Sequence, residues 1–188
     1  MSTVEELPGK NYRSPREQTA TVVRGLPPAA YTSEAFYALE CERLFARNWV
    51  FAGFVQGLPN AGDLWPTRVA GNPIVLVRRE DGVIRAFHNV CRHRGHLLVG
   101  APCSGTRKIV CPYHAWIYSL NGQLSRAPNF AGAGRAEAQG FETGENGLTE
   151  VRCAPRRDWI FINLSGSATD LETHLVDADA RLRGLALR

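Results

Sequence analysis

Short apolar or alternating runs, separated by turn residues at intervals of roughly ten positions, fill the chain from residue 49 to residue 164. This spacing is typical of the strands in a small antiparallel sandwich or barrel. The runs predict strands over 50–55, 64–70, 74–78, 83–87, 108–111, 116–120, 123–126, 148–153 and 159–164. Asp81-Gly82 and Asn121-Gly122 lie between pairs of these runs, and such dipeptides favour tight hairpins. The pattern therefore predicts a mainly β fold.

A helix is predicted just before the first strand. Thr32 or Ser33 can cap it, with Glu34 in its first turn. Its apolar residues recur at i, i+4, i+7 and i+8 on one face, and they are Tyr37, Cys41, Leu44 and Phe45. This face predicts that Cys41 points into a core. Residues 1–30, which are polar and proline-rich without sustained periodicity, predict an extended arm that needs another surface to order it.

A short helix is also predicted at the C-terminal end. Thr169 and Glu172 fit a capping box. Four apolar residues share one face of this helix: Leu171, Leu175, Ala178 and Leu182. Residues 131–147, rich in Gly, Ala and Glu without a period, predict a flexible surface loop. We therefore divide the chain into an arm and helix over 1–48, a β domain over 49–166 and the start of a linker over 167–188.

Composition and charge exclude several classes of protein. The chain has 188 residues, 44% hydrophobic and 21% charged, which is ordinary for one globular domain and excludes disorder, collagen and coiled coil. No run approaches the roughly 18 apolar residues of a membrane span, and the N-terminus lacks the order of a signal peptide. The net charge of +4 comes mostly from scattered arginines. We therefore expect a cytoplasmic protein that binds neither membranes nor nucleic acid.

Two mixed Cys–His pairs carry the candidate chemistry. Cys91 and His93 form the first pair, Cys111 and His114 form the second, and 17 residues (94–110) lie between the pairs. A thiolate and an imidazole within three residues can point at one small inorganic centre, so two such turns complete a four-fold ligand set. Structural zinc sites usually place Cys with Cys and His with His. A zinc-stabilised module without redox activity nevertheless stays open as an alternative.

The residues around both pairs resemble a known family. Segments 89–95 (NVCRHRG) and 111–116 (CPYHAW) resemble the two cluster loops of the large (α) subunits of Rieske non-haem iron oxygenases, which are aromatic-ring-hydroxylating dioxygenases and related monooxygenases. The likeness extends over about residues 30–180, with weaker outer matches at Asn48-Trp49, Gly62-Asp63 and Trp159-Ile160-Phe161. It implies a Rieske-type antiparallel β-sandwich or barrel with an N-terminal helix and a short C-terminal helix.

The same resemblance implies a Rieske-type 2Fe-2S cluster and its ligands. Cys91 and Cys111 would bind one iron, while His93 and His114 would bind the other through ring nitrogens. Ala115 stands where the family most often has Gly. The extra cysteine pair of the high-potential Rieske proteins is lacking, so the chain looks like the lower-potential oxygenase and ferredoxin type.

Three further residues near the pairs are candidates for the site. Trp116 resembles a family tryptophan that shields the cluster from water, although an ordinary core aromatic is the alternative. Arg94, like Arg92, can interact with the negative cluster or with a carboxylate of a partner, or it can be a solvated charge.

The resemblance implies electron transfer as the function. Single electrons would pass from a reductase or ferredoxin to a non-haem Fe(II) centre in an oxygenase catalytic domain, with His114 as the exit. The remaining histidines, His88, His96 and His174, do not form the two-His, one-carboxylate set of that centre, so no mononuclear Fe(II) is expected in this chain. Alone it is not expected to be catalytically complete.

The biological setting follows from the same resemblance. Aromatic hydrocarbon catabolism is the implied pathway, and the full-length form could assemble as a homotrimer. A free-standing Rieske-type ferredoxin is the alternative within the electron carriers. Ferredoxins of that type are shorter and lack the arm and helix of residues 1–48, which favours the oxygenase interpretation.

Overall fold

The computed structural model describes residues 25–128, 130 and 143–182. The chain divides into two compact units, with the boundary between Leu44 and Phe45. Most of the arm predicted over 1–30 lies outside the described residues, and so does most of the loop predicted over 131–147. Within the described part of the chain, no helix is both long enough and apolar enough to span a membrane.

Among its described residues, the first unit contains two short helices, α1 (Ala29–Thr32) and α2 (Glu34–Glu40), and a π-turn over Cys41–Phe45 leads into the second unit. The Ser33 hydroxyl accepts a hydrogen bond from the Phe36 N–H at 3.3 Å, so the predicted cap is present. The prediction of a core-facing apolar stripe is wrong. Tyr37 is 54% exposed and Cys41 is only half-buried, and from Cys41 onward a wider π-turn replaces the α-helical spacing on which the prediction depended.

In the described part of the second unit there are nine antiparallel strands, and the ends of each lie within three residues of a predicted strand. They are β1 (Val50–Phe54), β2 (Leu64–Val69), β3 (Asn72–Arg78), β4 (Ile84–His88), β5 (Lys108–Val110), β6 (Ile117–Ser119), β7 (Leu124–Arg126), β8 (Glu150–Arg156) and β9 (Trp159–Asn163). Six form a sheet in the order β1-β9-β8-β4-β3-β2, and the other three form the sheet β5-β6-β7. The predicted mainly β, antiparallel fold is confirmed.

Both predicted hairpin turns are present. The Gly82 N–H donates to the Arg79 carbonyl at 3.0 Å in the turn between β3 and β4. The Gly122 N–H donates to the Ser119 carbonyl at 2.9 Å in the turn between β6 and β7. The second turn packs closely on the large sheet, because a Cβ at Gly122 would lie 2.4 Å from the Phe87 ring. This contact holds the small sheet against the large one.

Strand β3 separates two hydrophobic cores. Ile74 and Leu76 contribute to the core on one side, and Val75 and Val77 contribute to the core on the other. A strand that is buried on both faces reads as a continuous apolar run, as this one does. The second of these cores contains the candidate ligand cysteines, so β3 forms a floor under the predicted metal site.

The beginning and the end of the β unit are joined by the fully buried Asn163 of β9. Its amide donates to the Asn48 carbonyl at 3.0 Å, while its Oδ1 accepts from the Ala168 N–H at 3.2 Å. The Trp49 indole N–H reaches the Thr169 carbonyl at 2.8 Å beside this group. The segment that enters β1 and the segment that leaves β9 are therefore held together by hydrogen bonds of the Asn163 amide and the Trp49 indole.

The C-terminal helix α3 (Leu171–Leu182) is present, but its predicted cap is wrong by one residue. The side chain of Asp170, not that of Thr169, accepts from the Thr173 N–H at 2.8 Å. Both residue types cap helices well, so the sequence does not choose between neighbouring positions. Further along, Asp179 accepts from Arg156 of β8 at 2.6 Å and ties the helix to the sheet.

We predict that Asn163→Ala lowers the free energy of unfolding by about 2–4 kcal/mol, because several buried hydrogen-bonding groups lose their partner. Asn72→Ala is the matched control, since its amide makes one local bond to the Ala70 carbonyl from a half-buried position. That change is expected to cost about 1 kcal/mol or less. Urea denaturation followed by circular dichroism measures both, and equal losses in the two variants would contradict the proposed joining role.

Candidate metal centre

The first predicted ligand loop follows β4 and forms a tight turn. The Gly95 N–H donates to the Cys91 carbonyl at 3.0 Å, and the Cys91 N–H donates to the His96 carbonyl at 2.8 Å. The turn requires a left-handed residue at its fifth position, where Gly95 has a φ of 69°. A Cβ at this position would meet no atom within 4 Å, so backbone conformation alone favours glycine here.

The second predicted loop follows β5 and repeats the same backbone arrangement. The Ala115 N–H donates to the Cys111 carbonyl at 3.0 Å, and the Cys111 N–H donates to the Trp116 carbonyl at 2.8 Å. Ala115 occupies the left-handed position with a φ of 54°. Alanine stands here instead of the glycine that is usual in the family, so this loop has a Cβ in a left-handed backbone conformation, which residues with a Cβ resist.

The two loops bring the candidate cysteines together inside the core. Cys91 and Cys111 are each 2% exposed and lie in the same hydrophobic cluster. Burial raises the pKa of the Cys111 thiol, backbone N–H groups of Tyr113 and His114 lower it, and the neighbouring Cys91 raises it again. Two adjacent buried sulfurs ionise together only with a positive partner, and a metal centre is such a partner.

The candidate histidines form a second pair beside the sulfurs. The rings of His93 and His114 have centroids 4.7 Å apart and planes inclined at 70°. The Nδ1 atom of each ring is buried and has no hydrogen-bond partner among the described residues. Burial, followed by the nearby charges of His114 and Arg94, lowers the pKa of His93 and favours the neutral imidazole that binds metals.

This donor set fits a two-iron cluster with unlike ligands. A sulfur pair and an imidazole pair lie side by side, and the two buried Nδ1 atoms lack the partner that a metal would supply. In the described part of the chain, no three His, Cys, Asp or Glu side chains are grouped to hold a single metal ion. We therefore treat the four residues as candidate ligands of a Rieske-type cluster.

Aromatic rings enclose the imidazole pair. Trp116 is 2% exposed and stacks on His93, with ring centroids 4.8 Å apart and planes inclined at 7°. Phe130 approaches both rings edge-on, at 5.9 Å from His93 and 5.5 Å from Trp116. Trp116 was predicted either to shield the cluster or to be an ordinary core aromatic. The structure is compatible with both, since the side chain belongs to the hydrophobic core and also covers the candidate ligand His93.

Tyr118 is a functional candidate that the sequence reasoning missed. Its hydroxyl lies 3.2 Å from the Cys91 sulfur and accepts from the Arg92 N–H at 3.1 Å. Because the oxygen already accepts one hydrogen bond, its own proton is free to point at the sulfur. Burial, followed by the Cys91 sulfur, raises the pKa of Tyr118, so the donor proton is retained. The sequence did contain a signal for this residue: side chains alternate along a strand, so Tyr118, two positions after Trp116, is expected on the same face as Trp116.

A cavity of about 680 Å³ opens on the imidazole side of the site. His93, His114, Tyr113 and Arg94 contribute to its wall. Arg94 is exposed, and its guanidinium forms no ion pair with any residue that the structure describes. A partner that entered this cavity would meet both imidazoles and one unpaired positive charge.

We predict that Ala115→Gly raises the free energy of unfolding by about 1 kcal/mol, because glycine tolerates the left-handed backbone that alanine resists. Gly95→Ala at the equivalent position of the other loop should lower it by a similar amount. Since a Cβ at Gly95 meets open space, the comparison isolates the backbone effect. Denaturant unfolding of both variants measures the changes. Stabilisation by Gly95→Ala would refute this account of the turns.

Curated relatives match most of the chain. Biphenyl dioxygenase subunit alpha of Metapseudomonas furukawaii is 32% identical over 188 aligned positions, which cover 94% of this chain and 41% of that protein. The carnitine monooxygenase oxygenase subunit of Escherichia coli strain K12 is 35% identical over 157 positions, covering 84% and 41% respectively. The chain thus spans about two fifths of the length of these relatives.

Solved structures of similar proteins share the fold. A quaternary ammonium Rieske monooxygenase in its apo form superposes with a TM-score of 0.75 at 32% identity, over 85% of this chain and 45% of that one. A naphthalene 1,2-dioxygenase variant bound to phenanthrene gives a TM-score of 0.73 at 32% identity, over 82% and 34%. The family model for the Rieske [2Fe-2S] domain matches residues 48–142. The chain therefore belongs to the Rieske [2Fe-2S] domain family, as the domain found in Rieske oxygenase α subunits.

Proposed function

We propose that Cys91, Cys111, His93 and His114 hold the Rieske 2Fe-2S cluster, with the sulfurs on one iron and the Nδ1 atoms on the other. The observation that carries this proposal is the pair of buried Nδ1 atoms without hydrogen-bond partners, next to two adjacent buried thiols. When bound, a cluster of this kind accepts one electron and passes it on. The chain then serves as the electron-transfer module of an oxygenase.

The direction of transfer follows from which ligands face solvent. The cysteines are buried, whereas His93 and His114 are half-buried and line the 680 Å³ cavity. We therefore place the acceptor, a non-haem iron domain, on the imidazole side, with His114 as the exit. Arg94 at this cavity can pair with a carboxylate on that domain. Trp116 and Phe130 would keep water from His93.

The α-subunit interpretation is favoured over a free-standing ferredoxin. The relatives named as oxygenase subunits match 84–94% of this chain, which includes residues outside the matched domain model. We accordingly keep residues 49–166 as the cluster domain, 1–48 as the preceding arm and helix, and 167–188 as the start of a linker. Electrons would come from a reductase or ferredoxin in the cytoplasm, and a trimer is proposed for the full-length form.

The substrate of the full-length oxygenase is proposed only as a class. Relatives named for biphenyl and for carnitine match the chain about equally, at 32% and 35% identity. This similarity therefore does not choose between aromatic compounds and amines. We propose an oxygenase that hydroxylates one of these two classes.

The ligand assignment is tested on protein purified without air. The wild type should contain iron and acid-labile sulfide in equal amounts and, once reduced, give an electron spin resonance signal. Cys111→Ser should lose both iron and signal. Cys103→Ser is the matched control, because Cys103 is exposed and its sulfur lies 3.7 Å from the Thr106 hydroxyl, away from the candidate ligands in sequence. A colourless wild type that holds zinc and no sulfide would overturn the proposal.

We predict that Tyr118→Phe lowers the reduction potential by roughly 50 mV. The hydroxyl donates to a sulfur that becomes more negative on reduction, and losing about 1 kcal/mol of that stabilisation corresponds to this shift for one electron. Tyr113→Phe is the control, because Tyr113 is exposed and lies on the imidazole side of the site, so the same change removes a hydroxyl that is not assigned to a sulfur. Voltammetry checks both variants, and a potential that rises in Tyr118→Phe would contradict the assigned donor.

A further inference from the structure

The two candidate ligand loops are closed at their bases in different ways. The second loop lies between β5 and β6, and the backbone ladder begins directly at its base, where Val110 pairs with Ile117. The first loop has a strand only on its entry side. No strand lies between the end of β4 at His88 and the start of β5 at Lys108, a stretch that the structure describes in full. The segment that leaves the first loop is therefore not held by a strand of its own.

The side chain of Asn89 supplies the contacts that a strand would otherwise make. Its amide nitrogen donates to the Val99 carbonyl at 2.7 Å, and its Oδ1 accepts from the Val99 N–H at 2.9 Å. A side-chain amide carries the same donor and acceptor as a peptide group, so these two bonds reproduce one hydrogen-bonded pair of an antiparallel ladder. Asn89 thus joins the chain that enters the first loop to the chain that leaves it.

The backbone of Asn89 is already engaged, which leaves this task to the side chain. Its N–H donates to the Pro73 carbonyl of β3 at 2.9 Å, and its carbonyl accepts from the Leu98 N–H at 3.4 Å. Asn89 is 1% exposed, and Leu98 and Val99 lie in the same hydrophobic cluster as Cys91. Without the amide, the Val99 peptide group would be left in this core without its partner, which costs more than the loss of an exposed hydrogen bond.

We propose that Asn89 is the positioning residue that holds the first ligand loop in place against the second. The inference rests on the proposed function, in which Cys91 and His93 of the first loop ligate different irons. A shift of this loop would change the sulfur–sulfur and the imidazole–imidazole separations together, and it would disturb the parallel stacking of His93 on Trp116. Asn89 acts through the loop backbone, because the N–H and the carbonyl of Cys91 are both bonded within the loop that Asn89 closes.

Asn163 offers a matched comparison for this role. It is fully buried as well, and its amide also bonds backbone groups, but these belong to Asn48 and Ala168 and not to either ligand loop. If buried asparagine amides served only the stability of the fold, the two residues would affect the cluster alike. A positioning role for Asn89 requires that they differ.

The test measures the release of iron from the reduced, cluster-loaded chain to an iron(II) chelator. Asn89→Ala should release iron about tenfold faster than the wild type, because two buried hydrogen bonds no longer oppose opening of the first loop. Asn163→Ala should stay within about twofold of the wild type. The electron spin resonance signal of the reduced cluster should broaden in Asn89→Ala, since His93 then adopts more than one geometry, and keep its wild-type shape in Asn163→Ala.

Two isosteric variants repeat the comparison with less disturbance of the core. Asn89→Asp keeps the acceptor for the Val99 N–H and loses only the donor, so its rate of iron release should lie between those of the wild type and Asn89→Ala. Asn163→Asp makes the same chemical change away from the ligand loops. If Asn89→Ala does not fold, Asn89→Asp must still release iron faster than Asn163→Asp.

Hydrogen exchange locates the effect without relying on the cluster. In Asn89→Ala the N–H groups of Cys91 and Gly95 should exchange faster, while those of Cys111 and Ala115 keep their wild-type rates. Equal iron release from the two alanine variants, an unchanged signal in Asn89→Ala, or equal acceleration of exchange in both loops would each overturn the positioning role. A wild type that holds no iron–sulfur cluster would instead overturn the proposed function, and the exchange rates would still decide whether Asn89 closes the first loop.

Discussion

The site depends on burying two thiols and two imidazole nitrogens where no protein group within the described chain satisfies the nitrogens. Cys91 and Cys111 lie in a hydrophobic core, and burial raises the pKa of the Cys111 thiol. Left alone, such groups would cost stability, because buried polar atoms without partners lose their hydration. A bound metal centre would remove that cost. Under the proposed ligand assignment, the cluster would complete the core on this side of β3.

The loops achieve this with one backbone turn used twice. In both, the cysteine carbonyl accepts from the N–H four residues on, and that residue has a positive φ. The histidines stand at different steps of the turn, His93 two residues after its cysteine and His114 three. The rings then approach from different directions, at 70° to each other, while both Nδ1 atoms stay buried. The different Cys–His spacings of the two loops thus correspond to the different directions of the two imidazole rings.

Much of the fold and the candidate site was predictable because its signals are local. Strand alternation, two hairpin dipeptides and two short-spaced Cys–His pairs each lie within a few residues. Tyr118 was missed because its contact with Cys91 spans 27 residues, and a buried strand tyrosine looks like ordinary core. The cap at Asp170 was missed because the neighbouring Thr169 is an equally suitable capping residue. The π-turn at Cys41 was missed because the residues of this segment also suit a regular α-helix.

Unequal burial of the candidate ligands gives the domain two different sides. The sulfurs lie in the core below the hydroxyl of Tyr118, while the imidazoles border a cavity and are covered on one face by Trp116. Under the proposed function, the negative charge added on reduction would be stabilised on the sulfur side by the Tyr118 hydroxyl and by backbone N–H groups. On the imidazole side, the rings of His93 and His114 are half-buried and lie close to the surface. A partner would need only to reach those rings, so the β core would not need to open for an electron to leave.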